Sequence, residues 1–267
     1  MRHIRTLAAL GLTVFAVTAC GRRPQSSGMV AWSGAIPAGG ILRLRNLSGP
    51  ITVERGTSDK VTVRATKHWR HGRVDDARFD VEQSGNEVLV CTIYGRGSNC
   101  DAKDYKAGSR HHWLRLRSTD MTVDYSVELP PGVKIDASTV QGPVRVTGAS
   151  SDVFARSVNG NVDVASGTGP VEAETVNGSV TARIDSAAVA GNVTAETVNG
   201  SVEVELPPTF TGSLNLATIT GKISSEFPLT MDGGNLASHH VHATVGTGGR
   251  EVELKTVNGS VSVRKRA

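Results

Sequence analysis

"TVNGSV" at residues 175–180 returns unchanged at 197–202 and 256–261, and as "SVNGNV" at 157–162. Asn-Gly between runs of small apolar residues is a strong local signal for a tight hairpin. Hairpins, however, leave the distance between successive turns free, and this chain fixes it. Aligned on the valine after the turn, Val144, Val153, Val162, Val171 and Val180 follow at a step of nine. Two positions on stand Val146, Ala155, Val164, Ala173 and Ala182, all small and apolar. A constant step with constant columns is the mark of a solenoid, in which each coil stacks on the last.

The amide before the glycine recurs every eighteen residues, at Gln141, Asn159 and Asn177, with Ser150 and Thr168 in the half-repeats between. The repeat is therefore eighteen residues, two unequal halves of nine, each a short strand and a corner. The phase slips by four before Val193, by three across "PPT" before Leu214 and Ile223, and closes at Val252 and Val261. The same amide column continues at Asn199 and Asn258. Stacking places Val on Val and Asn on Asn about 4.8 Å apart. It also sets Arg145 beside Asp163 and Arg156 beside Glu174, cross-strand pairs worth a few tenths of a kcal/mol. In this reading the valines, Val140, Val158 and Val176 before the turn included, line a narrow core. Gly or Asn supplies the positive φ of each corner. Stacked Asn side chains bond along the axis as a ladder, although turn chemistry alone accounts equally for any single Asn.

Composition agrees with a thin core, since aromatics are 4% and Gly is 30 of 267 residues. The N-terminal third is looser. "NLSGPITV" at 46–53 matches "VQGPVRV" at 140–146, and "DKVTVRAT", "RFDVEQSGNEVLVCTIY" and "MTVDYSVELPPGVKIDAS" alternate like strands. No stretch after the N-terminal segment has helical periodicity. The expected architecture is an all-β, right-handed parallel β-solenoid with coils of about eighteen residues. Wide early coils narrow into regular ones over 139–267. A polar, Gly-rich loop spans 94–117 and a second insertion 228–238. The charged end of "GSVSVRKRA" blunts the last exposed edge.

The first residues carry a targeting signal. "MRHIR" is basic, "TLAALGLTVFAVTA" is apolar and short for a membrane span, and "VTAC" resembles the bacterial lipobox, with Cys20 as lipid acceptor. The resemblance implies cleavage after residue 19; the polar segment that follows reads as a tether over 20–34, and the solenoid domain is expected over 35–267. Several acyl chains on one residue anchor firmly, because each buried methylene adds about 0.8 kcal/mol. Gly21 rather than Asp leans the sorting towards the outer membrane, on its periplasmic side. Removal of Arg2 and Arg5 leaves 27 basic against 25 acidic residues, which gives no case for a nucleic-acid partner. In an exported chain Cys91 and Cys100, nine apart, read as a disulfide.

"TVNGSV", the "VELPPGVKIDASTVQGPV" entry and the closing "LKTVNGSVSV" give roughly residues 35–265 a resemblance. The chain resembles the bacterial putative-adhesin domain of unknown function, related to autotransporter adhesin heads. That resemblance implies a membrane-tethered β-solenoid and names no catalytic residue.

Chemistry is sparse. GxSxG, Walker and dinucleotide motifs are absent, and no cofactor is expected. Glu172, Glu174 and Glu196 fall on one outward strip, with Asp163, Glu203 and Glu205 also outward. A carboxylate pair there would suit a glycosidase, but no basic column is expected beside the strip to tune it. His240 and His242 share an outer face if Val241 and Ala243 point inward, the weak metal candidate; "HHW" at 111–113 is weaker. Lys67, Arg70, Arg73, Arg110, Arg115 and Arg117 read as a solvated basic loop or a contact for acidic lipid. The function expected is a non-enzymatic, lipid-anchored envelope protein. Its repeat surface would bind an unidentified envelope protein or glycan. The alternatives are a carbohydrate-active β-helix enzyme and an envelope sensor or assembly partner.

Overall fold

The computed structural model describes residues 25–95, 99–101, 105–106, 120–167, 169–185, 191–231, 239–247 and 249–266. The first strands are β1 (Gln25–Gly34), β2 (Ile41–Ser48), β3 (Ile51–Arg55), β4 (Val61–Trp69), β5 (Ala77–Ser84), β6 (Glu87–Tyr94), β7 (Asn99–Cys100), β8 (Tyr105–Lys106) and β9 (Thr122–Leu129). The repeat region supplies β10 (Lys134–Gln141), β11 (Val144–Ala149), β12 (Val153–Asn159), β13 (Val162–Ser166), β14 (Val171–Asn177), β15 (Val180–Ile184), β16 (Val193–Asn199) and β17 (Val202–Leu206). The chain closes with β18 (Gly212–Thr220), β19 (Ile223–Ser225), β20 (Thr230–Met231), β21 (His240–Val245), β22 (Arg250–Asn258) and β23 (Val261–Lys265).

Two large, mostly parallel sheets face each other. One runs β1-β4-β9-β3-β11-β13-β15-β17-β23-β19 and the other β20-β21-β18-β22-β16-β14-β12-β10-β2-β6-β5. Period-two alternation drives this, because successive side chains on a strand point to opposite faces. In β14 Val171, Ala173 and Thr175 are buried while Glu172 and Glu174 face outward. Val153 pairs with Val171 eighteen residues on, and Val171 with Val193. That longer second step is the expected four-residue slip. It falls between β15 and β16, where 186–190 lie outside the described residues. One buried cluster runs through both sheets from Ile36 to Val263.

The layers do not follow chain order at either end. β22 pairs with β16 and β23 with β17, so the last TVNGSV sits directly on the one at 197–202. The intervening β18 and β19 stack outside it. Sequence spacing had set β18 and β19 next to β16 and β17. The observed order keeps like on like: Asn258 meets Asn199, whereas β18 carries Thr220 in that column. β23 is therefore no edge, and its charges are spent inside the stack, Arg264 on Glu203 at 3.0 Å. At the other end β2 and β3 lie between β10–β11 and the β6–β9 layer.

Antiparallel strands then close both ends. β4 runs antiparallel to β9, β5 to β6 and β21 to β18. Among the early strands β2, β3, β6 and β9 continue the parallel layers, while β1, β4 and β5 add an antiparallel cap that the sequence reading did not include. Gln25–Gly34, expected as tether, is the edge strand β1, antiparallel to β4. Cys91 and Cys100 form the expected disulfide. Residues 1–24, with the signal and Cys20, lie outside the described residues, as do 111–113 and most of the 94–117 loop.

Candidate functional site

The repeated hexapeptide assigns one task to each position. Its Thr is buried, and the hydroxyl donates to the corner glycine carbonyl of the neighbouring layer. Thr175 reaches Gly160, Thr197 Gly178, Thr256 Gly200 and Thr218 Gly259, each at 2.8 Å. An interior carbonyl left unpaired is costly, so this column closes the corner. The Asn amides form the expected ladder. Asn177 donates to Asn159, Asn199 to Asn177 and Asn258 to Asn199, each at 2.9 Å. Gln141 shares the column, in register with Asn159.

The glycine is required by proximity. A Cβ at Gly200 would fall on the carbonyl of Gly178, and one at Gly259 on that of Gly200. Every described residue with positive φ is glycine, so Asn does not carry the corner conformation that sequence reasoning allowed it. The final Val is core: Val162, Val180, Val202 and Val261 have no exposed surface.

The first Val of the hexapeptide reverses the expectation. Val158, Val176 and Val198 are 39–40% exposed and Ile219 is 67% exposed. Counting outward from Val171 gives the reason. Thr175 takes the inward place, so Val176 shares the outer face with Glu174. Successive layers therefore present an apolar stripe of Val140, Val158, Val176, Val198, Val257 and Ile219. With the column beside it, the stripe from Val158 to Ile219 lines an open groove of about 780 Å³ on the second sheet, and Val140 lies just beyond its end.

The groove's other wall is charged. Arg156, Glu174, Glu196 and Lys255 occupy one register column. Arg156 pairs with Glu172, with Glu174 at 3.2 Å and with Asp136 at 3.7 Å. Lys255 pairs with Glu196 at 3.3 Å and with Glu253. The acidic strip therefore has basic partners on both sides, contrary to the sequence expectation. Burial pushes the Glu174 carboxyl above the ordinary glutamate range; Arg156 opposes this, and Glu172 and Glu196 add to it. Burial works against the Arg156 guanidinium, but its contacts with Glu172 and Glu174 hold it above the usual value. Asp136, buried, also accepts from Arg45 at 2.7 Å and Arg43 at 2.8 Å. On the opposite sheet Arg145 meets Asp163 at 3.3 Å, Arg183 meets Glu205 at 3.2 Å, and Glu203 is held by Arg264.

Val241 and Ala243 are buried and His240 and His242 exposed, as the alternation requires. His240 Nε2 lies 2.8 Å from Asn215 Oδ1. Among the described residues no cluster of three or more His, Cys, Asp or Glu could hold a metal ion. Lys67 is not part of a solvated basic run. It is 8% exposed, donates to the carbonyls of Ala77 at 2.6 Å and Val74 at 3.1 Å, and covers the Phe79 ring. Burial lowers its pKa. Arg70 and Arg73 are exposed, and Arg110, Arg115 and Arg117 lie outside the described residues. Sequence reasoning missed the Thr and first-Val columns, although strict alternation from Val171 already separates them.

The Toastrack DUF4097 family model matches residues 116–264, more than half the chain, and the chain belongs to that family. Its fold is similar to that of a putative cell adhesion protein from Clostridium sporogenes, at 11% identity and TM-score 0.46 over 91% of this chain and all of the other. It is also similar to a putative adhesin from Bacteroides fragilis, at 10% identity and TM-score 0.39 over 91% and 97%. No curated protein matches the chain. No described helix is long and apolar enough to cross a membrane.

Proposed function

We propose that this member of the Toastrack DUF4097 family is a non-enzymatic envelope lipoprotein, held by Cys20, whose groove is a binding surface. The finer architecture we infer is a right-handed β-solenoid of about eighteen residues per coil. The observation that carries the binding role is the stripe of outward valines, repeated in layer after layer where a solvated strand would carry polar side chains. Contiguous exposed apolar surface rimmed by charge marks an interaction site. Anchoring is supported by the "VTAC" motif and the polar segment after it, and Gly21 favours the outer membrane. Cys20→Ser tests it by fractionation: the variant should leave the membrane, and full retention overturns the anchor.

One observation favours a second reading, a carbohydrate-active enzyme. Glu174 is half-buried with a raised carboxyl, the condition a general acid needs. Against it, Arg156 ties Glu172 and Glu174 together. Purified protein incubated with envelope polysaccharides should release no product. Turnover abolished by Glu174→Gln would replace the non-enzymatic reading.

A further inference from the structure

The groove's chemistry narrows its occupant. We propose that the valine stripe holds one aliphatic chain of an envelope lipid, laid along the stack axis; this rests on the envelope binding role proposed above. Val140, Val158, Val176, Val198, Val257 and Ile219 stand in six successive layers. At the interstrand spacing their span is about 24 Å. A bilayer's hydrocarbon core is about 30 Å, so one leaflet's chain extends about 15 Å and fits within the stripe. The volume of about 780 Å³ falls inside the roughly 300–1,000 Å³ range of ligand sites.

Other occupants meet specific obstacles. A strip one side chain wide cannot supply the roughly 800 Å² that each partner buries in a specific protein interface. An added peptide strand needs a free backbone edge, and β12, β14, β16 and β22 are paired on both sides. A glycan needs polar partners and stacking surfaces. Here the floor hydroxyls of Thr175, Thr197 and Thr256 already donate to glycine carbonyls, and among the described residues no Phe, Tyr or Trp lines the groove, whose one ring is the His239 imidazole at its rim. The charged wall is neutral as a whole, with Arg156 and Lys255 against Glu174 and Glu196. It therefore selects for a chain and is indifferent to headgroup charge. Each methylene moved from water onto the stripe favours binding.

Photolabelling tests this on the full-length protein, in whichever cell fraction holds it, with a palmitate carrying a mid-chain diazirine. The label should concentrate on peptides covering 153–159, 171–177 and 193–199, and excess unlabelled palmitate should compete it away. The double variant Val176→Asn, Val198→Asn should lose at least tenfold of the label at an unchanged melting temperature. Val30→Asn, on the exposed edge strand, should keep it. If the double variant folds poorly, competition on the wild-type chain decides. Label that is absent, spread over the surface, not competed, or unchanged in a folded double variant overturns the proposal. Stripe labelling is read independently of Cys20, so its failure is distinguishable from failure of the anchor.

Discussion

The middle of the stack and its two ends solve the same packing problem differently. In the layers of β12 to β17 the core is mostly Val and Ala, and most inward residues stand on a like or similarly small residue of the next layer. At the ends the strands turn antiparallel and the core takes larger groups. Tyr125 is buried against Phe79, and Phe210 packs edge-on against Phe227, both with ring centroids 6.0 Å apart. Parallel stacking multiplies one favourable contact by the number of layers, so small residues suffice there. An end layer has no further copy to cover it. It needs bulky side chains and a reversed strand to close the sheet.

Substitutions can break this contrast, and the largest effect belongs to the middle. Gly200→Ala drives a Cβ into the next backbone, and overpacking with strain should cost about 3 kcal/mol. Gly85→Ala in the N-terminal cap meets nothing within 4 Å, although φ is +56°, and should cost about 1 kcal/mol. Denaturant midpoints of the two variants compare them directly; equal losses would mean that the layers do not stack this closely. Next, opening the Cys91–Cys100 disulfide should cost about 2–3 kcal/mol, by the entropy of so short a loop. That loss should appear on reduction and be absent in a Cys91→Ser, Cys100→Ser protein.

Thr197→Val keeps the shape and strands the Gly178 carbonyl, for a loss of about 1–2 kcal/mol. Asn177→Ala removes two exposed ladder bonds and should cost under about 1 kcal/mol. If thermal melts reversed that order, the amide ladder and not the buried hydroxyl would be the main corner device.

The smallest effect is electrostatic. A carboxyl raised in the folded state binds its proton more tightly there than in the unfolded chain. The fold therefore loses stability as pH rises through the window just above the ordinary glutamate value of 4.5. Carbon-detected NMR titration should place the Glu174 midpoint above 4.5, and Arg156→Gln should move it higher still. A midpoint at or below that value would show a groove wall open to water.

Much of this was legible in the hexapeptide. All-β class, parallel register, the pairs Arg145–Asp163 and Arg156–Glu174 and the Asn ladder follow from one fact. In a stack the translation between layers is constant, so equal residues in sequence become neighbours in space. The site was less legible. Val176 reads as core by residue type and as surface by parity, and parity prevailed because the inward place was taken by Thr175, whose hydroxyl has a partner there.

What sequence alone determined was what stacks on what; tertiary structure alone decided in which order. The cost of closing a connection grows only slowly with its length. The chain can therefore skip a layer, fold β18 and β19 outward, and return β22 onto β16. Like-on-like contacts outweigh that small cost, and sequence order carries no record of the choice. Lys67 was decided in the same way. Its charge reads as surface, yet the cap gives it two carbonyls and an aromatic face, which only the packed antiparallel strands bring together.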